Sequence, residues 1–156
     1  MTILVVEDSP DDVFFLKRAL TRTGTNVSVQ VAEDGQAAID YFKGEGAFAN
    51  RGEFPFPRLV LLDLRIPRVP GFEVLRWLRS KGEFGCIPVV VFSSSREDSD
   101  MRKAYALGAN SFLVKTGDTT QLSAMVKAMV EYWLKYNEVP SICASDTELS
   151  DLSTTA

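Results

Sequence analysis

The chain contains no histidine among its 156 residues. This absence excludes Ser-His-Asp and Cys-His catalysis, histidine general bases and zinc sites built on histidine. The two cysteines, Cys86 and Cys143, lie far apart and form no CxxC pair, which argues against a disulfide framework and a cysteine metal site. Any chemistry must therefore rest on carboxylates, hydroxyls, lysine or arginine.

Long apolar runs are also missing, and no basic segment followed by an apolar one opens the chain. A helix that spans a bilayer needs roughly 20 apolar residues, so the sequence predicts a cytoplasmic protein without a membrane partner. The net charge of −4 arises after Lys135, where acidic residues occur without Lys or Arg. A neutral body with an acidic end predicts no nucleic-acid partner either.

Length and composition predict one globular domain. Hydrophobic residues make up 46% of the chain and charged residues 24%, which is typical of soluble globular proteins. We assign this domain to residues 1–137. The remaining residues 138–156 are acidic and rich in Ser and Thr, and we interpret them as a mobile tail.

Apolar runs alternate with helix-period segments five times along the chain. The predicted strands cover residues 2–6, 27–31, 59–62, 87–92 and 111–114. The predicted helices cover residues 10–22, 34–43, 71–81, 98–107 and 118–136, with a loop at 44–57. This alternation predicts an α/β fold, a doubly wound five-stranded parallel sheet with helices on both faces.

Polar residues follow four of the five predicted strands. Glu7 and Asp8 follow the first strand, Asp63 the third, Ser93–Ser95 the fourth and Lys115 the fifth. Carboxyl ends of parallel strands meet at one edge of a sheet, which is where ligands of such folds bind. The sequence therefore predicts a chemical site at this edge.

The predicted site is rich in carboxylates that would repel one another. A divalent cation relieves this repulsion, and oxygen ligands without His or Cys suit Mg²⁺ best. Asp63, placed directly after a buried strand, is also a candidate nucleophile that would form an aspartyl phosphate. Lys115 would then neutralise phosphoryl charge, and Ser93 would donate a hydrogen bond to a phosphoryl oxygen.

Four motifs occur in a familiar order: Val-Val-Glu7-Asp8-Ser-Pro, Leu-Leu-Asp63-Leu-Arg-Ile-Pro-x-x-x-Gly71, Val-Phe-Ser93-Ser94 and Phe112-Leu-Val-Lys115. Together they resemble the receiver domain of two-component response regulators over residues 2–136. The resemblance implies a flavodoxin-like sheet with strand order 2-1-3-4-5. It also implies that a histidine of a sensor kinase donates a phosphoryl group to Asp63.

The resemblance further implies a metal site. Asp8, Asp63 and the backbone carbonyl of Arg65 would bind Mg²⁺, and Glu7 would complete the acidic pocket. Lys115 is followed by Thr116, whereas the family usually has a proline there in a cis peptide, so the geometry of this peptide bond stays open.

Other residues take their roles from the same resemblance. Ser93, Ser94 and Lys115 would contact the phosphoryl group, and Phe112 would be the aromatic switch. Phe14 lies on the outward face of the first predicted helix, where the kinase of such systems docks.

The loop at 44–57 and the Tyr-Trp-Leu end of the last predicted helix resemble the small stand-alone receivers that serve bacterial phytochromes. The implied partner is thus a sensor histidine kinase, with bacterial phytochromes as the candidate class. About twenty residues follow the receiver, too few for an output domain.

The last predicted helix carries Ala124, Ala128, Tyr132 and Tyr136 at a spacing of four. A second face of small and aromatic residues has the composition of a contact surface. The resemblance implies a homodimer through the fourth helix, fifth strand and fifth helix, with Ala128, Tyr132 and Tyr136 in the interface.

The sequence therefore favours a stand-alone response regulator, a phosphoacceptor rather than an enzyme acting on other substrates. One alternative is a small phosphatase that forms an aspartyl phosphate. That family has Asp-x-Asp after its first strand and a cap domain, whereas this chain has Glu7-Asp8 and no cap. A second alternative is a receiver-like adaptor that is never phosphorylated, against which Asp8, Asp63, Ser93 and Lys115 argue.

Overall fold

The computed structural model describes residues 1–140. Five parallel strands form one sheet in the order β2-β1-β3-β4-β5, which confirms the predicted fold class and strand order. The strands are β1 (Thr2–Val6), β2 (Ser28–Ala32), β3 (Leu59–Leu62), β4 (Val89–Ser93) and β5 (Ser111–Val114). Of the predicted tail, residues 141–156 lie outside the described residues.

In the described part of the chain, five α-helices cover the two faces of the sheet. They are α1 (Pro10–Arg22), α2 (Gly35–Lys43), α3 (Gly71–Ser80), α4 (Asp98–Ala106) and α5 (Thr119–Val130). Helices α1 and α5 pack on one face, and α2, α3 and α4 pack on the other. No helix within residues 1–140 is long and apolar enough to cross a membrane.

Side-chain caps fix where three helices begin, close to the ends of the strands that precede them. The Ser9 hydroxyl accepts a hydrogen bond from the Asp12 N–H at 3.3 Å, and Pro10 occupies the first turn of α1. Asp34 accepts from the Ala37 N–H at the start of α2. Asp118 caps α5 in the same way. Such caps satisfy N–H groups that have no partner inside the helix, so each chain turn after a strand is closely defined.

The end of the last helix differs from the prediction of a single helix to Tyr136. The α-helical part ends at Val130, and Glu131–Tyr136 forms a π-helical turn. The Asn137 N–H donates to the Tyr132 carbonyl, five residues back, at 2.8 Å. A π-helix has more residues per turn than an α-helix. The spacing-of-four argument therefore does not extend to Tyr136.

The segment between α2 and β3 is more ordered than a plain loop. It contains a 3₁₀ turn at Gly46–Phe48, and a second such turn, Gly82–Phe84, follows α3. The Arg51 guanidinium donates hydrogen bonds to the carbonyls of Phe42 and Phe54 and lies 4.3 Å from the Phe56 ring centroid. One arginine thus ties this segment to α2.

Candidate functional site

Three carboxylates converge where β1 and β3 end. The two strands pair with Val6 opposite Leu62, so the residues that follow them start at the same level of the sheet. The Asp63 N–H donates to the Val6 carbonyl at 3.0 Å, which fixes the backbone one residue beyond β3. One carboxylate oxygen each from Glu7, Asp8 and Asp63 lie within 4.8 Å of one another.

Lys115 reaches this cluster from β5, which β4 separates from β3 in the sheet. Its N–H donates to the Ser93 carbonyl at 2.9 Å, so the backbone pairing continues past the end of β5. The side chain is only 11% exposed, and Nζ donates to Asp63 Oδ2 at 2.6 Å and to Asp12 Oδ2 at 2.8 Å. Glu7 Oε2 is the third acceptor of this amine.

Burial and ion pairing act in opposite directions on these groups. Burial raises the pKa of Glu7 above its ordinary value, although hydrogen bonds from Lys115 and the Ser9 N–H oppose this rise. Burial alone would lower the pKa of Lys115, but hydrogen bonds to Asp12, Asp63 and Glu7 outweigh it, so the net shift is upward. The amine is therefore charged at neutral pH.

The acidic cluster has the chemistry of a divalent-cation site. Asp8 is exposed, whereas Glu7 and Asp63 are buried, so a cation can approach from the solvent side through Asp8. Both Glu7 oxygens already accept hydrogen bonds, from the Ser9 N–H and from Lys115. Both Asp63 oxygens do so too, from the Arg65 N–H and from Lys115. Asp8 is therefore the most open of the three carboxylates to a metal, and three oxygen donors suit a hard cation such as Mg²⁺.

The hydroxyl residues at the end of β4 and directly after it differ in exposure. Ser93 is fully buried, and its Oγ accepts from the Ser95 N–H at 3.4 Å. Ser94 is exposed. Ser95, which the sequence did not single out beyond its place in the serine run, donates to Asp100 Oδ2 at 2.6 Å and so links β4 to α4.

Two further residues named from the sequence flank the cluster. Arg65 is exposed, and its N–H donates to Asp63 Oδ1 at 3.2 Å. The two oxygens of Asp63 are thus distinguished, because Oδ1 faces this N–H and Oδ2 faces Lys115. Within the described residues no peptide bond is cis, so the Lys115–Thr116 bond is trans.

The remaining residues named from the sequence lie away from the carboxylates. Phe112 on β5 is partly buried and packs against the core shared with α2, α3 and α4. Phe14 is 59% exposed, and its neighbour Phe15, which the sequence argument passed over, is 42% exposed. On the last helix Tyr132, Tyr136 and Ala128 are all exposed.

Asp12 is the residue of the site that sequence reasoning missed. It lies in the first turn of α1, where an acidic residue is already explained by its favourable interaction with the positive end of the helix dipole. Asp11 precedes it with the same charge in the same turn, and nothing in the spacing separates the two. Only the placement of α1 beside β5 shows that Asp12 is the one that reaches Lys115.

The family model of the response regulator receiver domain matches residues 3–127. The chain belongs to the response regulator receiver family. The receiver is 40% identical over 139 residues to the probable methanogenesis regulatory protein FilR2 of Methanothrix harundinacea, covering 88% of this chain and 86% of that protein. It is 32% identical over 139 residues to response regulator Rcp1 of Synechocystis sp., covering 89% and 92% of the two chains.

Solved structures of response regulators resemble the receiver, and one of them is a phytochrome response regulator by name. The phosphorylated cyanobacterial phytochrome response regulator RcpA superposes with a TM-score of 0.82 at 35% identity, over 90% of this chain and 98% of that chain. The Mn²⁺-bound form of Rcp1 superposes with a TM-score of 0.81 at 31% identity, over 90% and 99%. The predicted family is therefore confirmed, together with its relation to phytochrome-associated receivers.

Proposed function

We propose that this receiver is a stand-alone response regulator that accepts a phosphoryl group on Asp63 from a sensor histidine kinase, with Mg²⁺ bound beside it. The observation that carries the proposal is the contact between Lys115 Nζ and Asp63 Oδ2 at 2.6 Å, next to the acidic cluster. A buried carboxylate with a charged amine on one oxygen and metal-binding oxygens nearby suits transfer of an anionic group.

The transfer step is a displacement at phosphorus. A carboxylate oxygen of Asp63 forms the new bond to phosphorus, while the bond from phosphorus to the kinase histidine nitrogen breaks and its electron pair stays on that nitrogen. Lys115 then shifts its hydrogen bond from Asp63 Oδ2 to a phosphoryl oxygen and neutralises part of the added charge. Bound Mg²⁺, held by Asp8, Asp63 and the Arg65 carbonyl, would screen the repulsion between the phosphoryl group and the carboxylates.

The buried hydroxyl of Ser93 and the exposed Ser94 are the proposed further contacts of the phosphoryl group. Ser93 Oγ accepts from the Ser95 N–H, so the O–H of this residue is still available to donate to a phosphoryl oxygen. Phe112 lies opposite Val91 in the pairing of β4 with β5. It would move further into the core when the Ser93 hydroxyl turns towards the phosphoryl group. This coupling is the proposed route from Asp63 to the α4 and β5 surface.

The kinase is proposed to dock on α1. Phe14 and Phe15 form an exposed aromatic pair there, with ring centroids 5.5 Å apart. Exposed aromatic residues are enriched in the centres of protein interfaces. The similarity to RcpA, a phytochrome response regulator by name, supports a phytochrome-type kinase as the partner.

Removal of the metal tests the proposed function directly. With Mg²⁺ and acetyl phosphate, the purified receiver should gain the mass of one phosphoryl group, and excess EDTA should abolish this gain. The reason is that Lys115 alone neutralises only part of the charge of the three carboxylates, which then repel the incoming dianion. Intact-mass spectrometry measures both arms. A receiver that stays unlabelled with Mg²⁺ present would overturn the proposal. Equal labelling in EDTA would show that phosphorylation does not require the metal.

A homodimer through α4, β5 and α5 is proposed as the route of output. An open groove of about 470 Å³ lies between β5 and α5 and is lined by Leu113, Met125, Tyr132 and Trp133 among others. Tyr132 lies at the rim of this groove and is 55% exposed. Its ring packs edge-to-face on the Trp133 ring, with the ring centroids 4.8 Å apart. An apolar groove with an exposed tyrosine suits a self-complementary two-fold contact.

Tyr132→Glu should convert such a dimer into a folded monomer, because two-fold symmetry would bury two unpaired charges in the interface. Sedimentation velocity at micromolar concentration, with and without a phosphoryl analogue, measures the change. Phe14→Glu places the same charge at an exposed aromatic outside the groove and should leave the dimer intact. A wild-type receiver that is monomeric under both conditions would contradict the proposed dimer.

A further inference from the structure

One of the three carboxylates that accept hydrogen bonds from Lys115 lies on a helix and not at the end of a strand. Asp12, in the first turn of α1, accepts from Lys115 Nζ at 2.8 Å. The other two acceptors, Glu7 and Asp63, follow β1 and β3. Asp12 is also absent from the cluster of carboxylates that can share a metal ion, which comprises Glu7, Asp8 and Asp63 within the described residues.

The three acceptors of Lys115 differ in their access to water. The Asp12 side chain is 43% exposed, whereas those of Glu7 and Asp63 are 5% and 9% exposed. A hydrated carboxylate keeps its charge at little cost, while a buried one does not. Asp12 is therefore the acceptor that stays in contact with water when a phosphoryl group or a metal ion enters the buried part of the site.

The α1 cap fixes Asp12 in place. Its backbone N–H donates to the Ser9 hydroxyl, and Ser9 in turn donates its N–H to Glu7 Oε1 at 2.9 Å. The two anchors of the amine, Glu7 and Asp12, are thus joined through one residue. An ammonium group has three hydrogens to donate. Two of them can stay on these anchors while the third moves from Asp63 to a phosphoryl oxygen.

We propose that Asp12 is a positioning residue for phosphoryl transfer: it holds the Lys115 amine beside Asp63 and takes no part in metal binding. The inference rests on the proposed function, because it concerns the same transfer to Asp63. Without Asp12 the amine keeps one anchor, Glu7, instead of two, and it spends more time away from the geometry that stabilises the transferring group.

Asp12→Asn separates this role from metal binding. We expect labelling by acetyl phosphate to slow by about three- to tenfold. This is a small effect for the loss of a hydrogen bond between charged groups, because Asp12 is partly exposed and water screens its interaction with Lys115. The Mg²⁺ concentration that gives half the maximal rate should not change. Asp12→Glu, which keeps the charge on a longer side chain, should recover part of the rate. Asp11→Asn removes the same charge from the same turn and should label at the wild-type rate.

A second background shows whether Asp12 acts through Lys115. In a Lys115→Ala receiver, adding Asp12→Asn should produce no further slowing, since the group that Asp12 positions is gone. Equal slowing in both backgrounds would overturn the proposal, as would a wild-type rate for Asp12→Asn or an altered Mg²⁺ requirement. Failure of the wild-type receiver to label is a different result, because it overturns the proposed function itself and this inference with it.

Discussion

Asp63→Asn should take no phosphoryl group from acetyl phosphate or from the kinase, while the receiver stays folded. The amide that replaces the carboxylate is not a nucleophile, so loss of labelling should be complete rather than partial. Asparagine has nearly the same shape as aspartate and also lessens the repulsion with Glu7 and Asp8. The Asp63 carboxylate accepts hydrogen bonds from both Lys115 and the Arg65 N–H, one on each oxygen. The amide has a single oxygen, so it can replace only one of these two contacts.

The expected cost in folding free energy is therefore small, about 1 kcal/mol for the one hydrogen bond lost. Thermal melting followed by circular dichroism checks the fold, and intact-mass spectrometry checks labelling under the same conditions. Asp11→Asn is the matched control, because it removes a carboxylate near the site and should still label. Labelling of Asp63→Asn at the wild-type rate would show that another residue is the acceptor.

The fold was predictable because its determinants are local. Each strand is a short apolar run, each helix has an apolar stripe, and parallel strands joined by helices admit few topologies. The boundaries were less predictable. β4 begins at Val89 rather than at Ile87, because Pro88 has no N–H to donate to a neighbouring strand, although its carbonyl accepts from the Val60 N–H.

The composition of the site could be predicted in part, since the carboxyl ends of parallel strands always meet at one edge. The structure does bring Glu7, Asp8, Asp63 and Lys115 together. Their roles in phosphoryl transfer and metal binding remain predictions. Asp12 could not be found in this way, because it lies 103 positions from Lys115 and on a helix. Its contact depends on the angle at which α1 leaves β1, which no local pattern encodes.

The π-helical turn and the segment before β3 show a second limit. Apolar spacing of three and four continues through Trp133 and Leu134, so the pattern cannot distinguish a π-helix from a continued α-helix. Arg51 would be expected on the surface from its charge alone. It instead donates to the carbonyls of Phe42 and Phe54, a role that becomes visible only when the segment is folded against α2.

Gly71→Ala should destabilise the receiver strongly and disturb the phosphoacceptor at the same time. Gly71 is the first residue of α3, and a Cβ added there would lie 2.3 Å from the Asp63 carbonyl oxygen and 2.7 Å from Leu64 Cα. Both are backbone atoms, so no side-chain rotation can relieve the overlap. The Gly71 N–H also donates to the Leu64 carbonyl at 3.1 Å, which keeps the two segments in contact.

Relief of this overlap requires α3 and the chain after Asp63 to move apart. We expect a loss of about 3 kcal/mol in the free energy of unfolding, at the upper end for overpacking of a closed site. Urea denaturation measures this loss. Because the chain that moves carries Asp63, labelling by acetyl phosphate should also slow in the protein that remains folded.

Gly85→Ala is the matched control for this change. A Cβ at Gly85 would lie 3.4 Å from the nearest atom, the Lys81 carbonyl oxygen, which is an ordinary contact distance. It should cost little stability and leave the labelling rate unchanged, since Gly85 follows the 3₁₀ turn Gly82–Phe84 before β4. If Gly71→Ala proved as stable as Gly85→Ala and labelled as fast, the close approach of α3 to the Asp63 backbone would not be what holds the acceptor in place.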